Sequence, residues 1–99
     1  MRTMIRITVP VEAGNRAVQD GSLQKTIADL INRLKPESSY FFTDHGVRAA
    51  IMVVDFRSAS DIAAIAEPLF TAVNAAVEFI PVMNADELKK GLAKAMQAR

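Results

Sequence analysis

The chain has no cysteine and no tryptophan, one histidine and one tyrosine. Without cysteine there is neither a disulfide framework nor a thiolate site. A lone histidine among scattered carboxylates has no metal-ligand spacing, so no metal is expected. The four glycines are isolated, which excludes a Walker or Rossmann phosphate loop, and no cofactor is expected. No apolar run approaches the length of a membrane span. Twelve basic and eleven acidic residues, mixed along the chain, leave a formal charge of +1. That balance provides no electrostatic footprint for nucleic acid or for a membrane surface. Met1-Arg2-Thr3-Met4-Ile5-Arg6 alternates like a strand and lacks the continuous apolar region of a signal peptide, so a cytoplasmic location is expected.

What is present is apolar and periodic. The hydrophobic fraction of 51% over 99 residues implies a single ordered domain, residues 1–99. Four runs read as strands: Thr3–Val9, Ser39–Thr43, Ala49–Asp55 and Val77–Met83. The third is apolar on both sides, as a central strand requires. Pro81 cannot donate to a ladder and places the fourth at an edge. Between the first two strands, Leu23, Ile27, Leu30, Ile31 and Leu34 form one helical face that Ser22 is placed to cap and Pro36 to end. The segment Glu12–Asp20 before it is open between helix and loop. A second helix carries Ile62, Ile65, Leu69, Phe70 and Val73, with Ser58 or Ser60 as cap and Pro68 as a bend or break. Asn84 and Glu87 mark a capping box for a last helix bearing Leu88 and Leu92.

The order β-α-β-β-α-β plus a terminal helix is the split βαβ pattern of a ferredoxin-like α+β fold with a four-stranded antiparallel sheet. In that arrangement Ile5, Ile7, Val9, Ile51 and Val53 are expected to face the helices. The opposite face is expected to carry Met4, Arg6, Thr8, Ala50, Met52, Val54, Glu78, Ile80, Tyr40 and Phe42. Such a face is too apolar to be solvated and too polar to be a dry core, which marks a partner or ligand surface. The RNA-binding module of this topology is excluded, because neither central strand carries a base-stacking aromatic residue.

Nearly the whole length resembles the dimeric α+β barrel superfamily. The resemblance rests on the topology and on Lys35-Pro36-Glu37, Tyr40-Phe41-Phe42, Ala66-Glu67-Pro68-Leu69-Phe70 and Pro81-Val82-Met83, phrases that look like those of small bacterial members of unknown function. It implies a homodimer paired through the non-helical sheet face around a central space. Members include monooxygenases, haem-degrading enzymes, isomerases or dehydratases and stress-induced proteins, so the resemblance implies the dimer more than any reaction. The haem-degrading members use a helix-borne histidine and commonly a tryptophan, and this chain has neither.

The catalytic candidates are Arg6, Glu78, Tyr40 and His45. Arg6 and Glu78 would fall on neighbouring strands, either as a site holding a carboxylate and moving a proton or as a plain cross-strand ion pair. Tyr40 offers a hydroxyl nearby, or simple interface packing. His45, in Asp44-His45-Gly46, is either a base near neutral pH or a solvated turn residue. The ligand-binding candidates are Asn15, Arg48, Met52 and Glu67. Asn15 follows a strand end and is either a ligand-orienting amide or a turn residue. Glu67 either faces Asn15 or is solvated, and Met52 fills a core or pocket. The expected function is binding of a small polar metabolite in a cavity on the non-helical face. The alternatives are a cofactor-independent monooxygenase- or isomerase-like enzyme on a small carbonyl substrate, and a structural or stress-related dimer with no small-molecule site.

Overall fold

The computed structural model describes residues 1–98. Its elements are β1 (Arg2–Val9), α1 (Val11–Gln19), α2 (Ser22–Leu34), β2 (Ser38–Asp44), β3 (Val47–Asp55), α3 (Asp61–Val73), β4 (Ala76–Pro81) and α4 (Ala85–Gln97). The sheet order is β2-β3-β1-β4 and every neighbouring pair is antiparallel. This is a ferredoxin-like α+β fold with a C-terminal helix. β1 and β3 are central, β2 and β4 are edges, and Pro81 ends an edge strand as its missing donor requires.

Burial along β1 alternates strictly, with Thr3, Ile5, Ile7 and Val9 inward. Directly opposed residues of an antiparallel pair share a face. Ile5 opposes Met52 and Ile7 opposes Ala50, whereas Met4 opposes Val53 and Arg6 opposes Ile51. The expected phase of β3 is therefore corrected by one residue. Ala50, Met52 and Val54 face the helices, and Ile51 and Val53 lie on the open face. A strand apolar on both sides carries no alternation to set its phase, and a one-residue slip exchanges every side chain. Tyr40 opposes Ile51 and Glu78 opposes Arg6, so these two are on the open face as expected.

The core lies between the sheet and α1–α3. It gathers Ile5, Ile7, Val9, Ala17, Leu30, Met52, Val54, Ile65, Leu69 and Val73, with a tilted Phe56–Phe79 ring contact at 5.5 Å closing the end near the start of β1.

The open segment after β1 is helix. Pro10 precedes α1, and its carbonyl accepts the Gly14 amide at 2.9 Å. Ser22 does not cap α2. Gly21 holds the cap position with φ 82°, and the Asp20 carboxylate accepts the Ser22 amide at 2.8 Å. α3 runs through Pro68 without a break. A proline there cannot donate to the Ala64 carbonyl, and Arg33 of α2 donates to that oxygen instead, at 3.4 Å. Ser60 occupies the α3 cap position without a side-chain cap bond; the Asp61 carboxylate takes the Arg57 and Ser58 amides. The Asn84–Glu87 capping box of α4 is complete.

α4 buries none of its residues. Its first turn is tied to the sheet by an ion pair from Arg2 to Glu87, and Arg2 also binds Glu37 at 2.7 Å. The long axis measures 55 Å, while an eight-residue strand spans only about 27 Å. The radius of gyration of 15.9 Å likewise exceeds the roughly 13 Å of a compact chain this size. The helix projects from the body as an arm.

Candidate functional site

Chemistry-bearing side chains collect in two places, on opposite faces of the sheet. On the open face, Arg6 forms an ion pair with Asp44 and a second with Glu78, Nε to Oε1 at 3.5 Å. Asp44 also lies 2.8 Å from His45 Nδ1. Partial burial pushes the Asp44 carboxyl up, but hydrogen bonding to Arg6 and its charge, followed by those of His45, hold it below the ordinary 3.8. Two carboxylates flank one guanidinium, so the cluster is acidic and Arg6 is occupied. An incoming carboxylate would be opposed by the charges of Asp44 and Glu78, which already hold the guanidinium. Tyr40 stands on the same face, 64% exposed.

His45 has a conformational reason to be where it is. It and Gly46 form the two-residue link between β2 and β3, at φ 50° and 83°. A type I′ hairpin turn needs positive φ at both positions, and histidine is among the residues that tolerate it. The ring is 95% exposed.

The second place is a cavity of about 340 Å³ on the helix side, under α2 and beside edge strand β2. Its floor is Ile7, Val9, Ala50 and Met52, its roof Leu23, Ile27 and Leu30, and its outer wall Phe41 and Phe42. The hollow follows from residue size. Ala50, which faces the helices, is small at the level where α2 crosses, and of the α2 residues only Leu30 is buried. Phe41, opposite Ala50, is left 53% exposed with no helix over it.

Arg48 stands at the α1 end of this cavity. It opposes Val9 and so points to the helix side. Nη2 donates to Asn15 Oδ1 at 3.1 Å and Nη1 to the Val11 carbonyl at 3.5 Å. Among the described residues no carboxylate pairs with it. Its charge is met only by neutral oxygens. Gly14 makes room for it, since a Cβ there would lie 2.5 Å from Nη1.

Three of the four ligand-binding candidates thus come together: Arg48 and Met52 line the cavity, and Asn15 holds Arg48. Met52 is 1% exposed and belongs to the core floor, not to the open face. Glu67 is exposed on α3 and is not part of the lining. The sequence reading missed Phe41, Leu23 and Ile27 as cavity walls; the signal was Ala50, a small residue in the most apolar strand. A cavity between two open faces involves a second chain, whereas this helix-side hollow is formed within one chain. Among the described residues no cluster of metal-ligating side chains occurs, and no helix is long and apolar enough to cross a membrane. Neither a protein-family model nor a curated protein sequence matches this chain.

Proposed function

We propose that the protein binds a small molecule with an apolar body and an anionic oxygen head, and that it works as a homodimer paired through the open sheet face. The observation that supports the binding reading is the apolar helix-side cavity of about 340 Å³ with Arg48 at its end. That volume falls at the lower end of ligand pockets, which run from about 300 to 1,000 Å³ and combine apolar walls with few polar groups. The guanidinium, free of any acidic partner, supplies the counter-charge for a carboxylate, and bidentate geometry suits it. Asn15 keeps that group in place. The chemistry proposed is capture and release.

Decanoate and decanol are the probes, measured by calorimetry. The expected result is at least tenfold tighter binding of decanoate, with a negative heat-capacity change from apolar burial. Arg48→Met should erase the preference and leave decanol binding unchanged. Equal affinity for the two probes in the unaltered protein would remove the anionic head from the proposal, and no binding of either would remove the site.

A further inference from the structure

Two exposed apolar surfaces remain that a single chain does not join. One is the arm α4, whose Leu88 and Leu92 stand four residues apart on one face, 46% and 58% exposed. The other is the β2 edge, where Tyr40, Phe41 and Phe42 are 64%, 53% and 39% exposed. Neither is stable chemistry to leave in water. An isolated helix of about 12–15 residues is marginal, and packing of its apolar face supplies most of its stability. An uncovered aromatic edge strand is an open template for aggregation, and covering it with a helix is one of the ways proteins prevent that.

The arm is on the wrong side of its own sheet to do this. α4 leaves from β4, and β4 and β2 are opposite edges, separated by about 14 Å at the usual strand spacing. It starts beside Arg2, at the opposite end of the strands from the cavity lined by Ile7, Val9 and Arg48, and it extends the molecule to 55 Å.

We infer that α4 docks its Leu88–Leu92 face on the β2 edge of a second copy, reciprocally, and so closes the outer wall of that copy's cavity. Two-fold symmetry satisfies both arms and both edges at once. Phe41, Leu88 and Leu92 alone remove roughly 600 Å² from water in the two contacts, taking about 200 Å² for each full aromatic side chain. A stable interface needs about 1,200–2,000 Å². The arms therefore complement a contact between open faces, to which Tyr40 and Phe42 already belong. The partner completes the site, because Phe41 and Phe42 are the wall that opens to solvent. The inference rests on the homodimer reading and goes beyond it by naming the element that crosses.

Sedimentation of the full chain and disulfide trapping test it; the absence of native cysteine makes engineered thiols unambiguous. The unaltered chain should be a dimer, and Leu88→Glu with Leu92→Glu should raise its dissociation constant at least tenfold. A Phe41→Cys chain mixed with a Leu92→Cys chain should form an interchain disulfide under mild oxidation. A monomeric unaltered chain would overturn both the arm and the homodimer. A dimer indifferent to the arm substitutions, with no trapped disulfide, would overturn the arm alone and leave face-to-face pairing standing. A disulfide within one Phe41→Cys/Leu92→Cys chain would show that the arm folds back on itself, which also overturns the inference.

Discussion

Ala50→Leu tests the cavity by the sign of its effect. Ala50 is 8% exposed and forms the cavity floor opposite Phe41. In a close-packed core, forcing in three extra carbons costs about 1–3 kcal/mol. Over a hollow of about 340 Å³ the same carbons leave water without a clash. At about 0.8 kcal/mol for each they contribute roughly 2.4 kcal/mol, less roughly 0.5–1 kcal/mol for the ordered leucine rotamer. The expected net gain is about 1.5 kcal/mol. For a domain of this size that raises the midpoint of thermal unfolding by about 6–12 °C, or moves the urea midpoint by about 1 M. Both scans need fixed protein concentration, because association adds to apparent stability. Decanoate affinity should fall at least tenfold in the same variant. A loss of 1 kcal/mol or more would refute the reasoning, since it would mean that the space beside Ala50 is already packed.

Ile5→Ala, at a position 0% exposed in the sheet centre, should cost about 2–5 kcal/mol in urea unfolding. Asp44 is held below 3.8 in the folded chain, so the stability it contributes is present above that value and drains away as pH falls through its lower folded value. Asp44→Asn should flatten the loss of stability below about pH 4, as followed by acid unfolding. Gly14→Ala should push Arg48 from its place, given the 2.5 Å approach of a Cβ to Nη1. Decanoate affinity should drop in that variant, while thermal stability holds or rises by up to about 1 kcal/mol, because alanine favours helix over glycine.

The fold was legible where one physical cause acted alone. Pro81 named an edge, the alternation of β1 named its inner face, and Asn84 with Glu87 named the start of α4. The phase of β3 was not legible, because Ala49 through Val54 is apolar throughout and only the register against Ile5 and Ile7 decides which side each residue takes. That same slip moved Met52 and Ala50 to the wrong face and drew attention away from the helix side. For the site, Asn15 was read at a strand end and Arg48 beside Arg6 and Glu78 on the open face; the register turns Arg48 to the helix side, and its contact with Asn15 joins α1 to β3 across 33 positions of sequence. His45 drew a chemical reading from its rarity, whereas the turn explains it by backbone conformation.

The proline inside α3 bears on how anything reaches the cavity. It leaves the Ala64 carbonyl to Arg33, and so fastens α2 to α3 by a bond that neither helix makes within itself. Both helices roof the hollow, α2 through Leu23 and Ile27, α3 through Leu69 and Val73. That oxygen lies at the surface, where water can replace the guanidinium, so the bond links the two helices without sealing them. For the proposed ligand, the way in that breaks no hydrogen bond runs past the rings of Phe41 and Phe42, the wall that the second copy's arm is proposed to close. Under that proposal, ligand exchange and the seating of the arm are linked events.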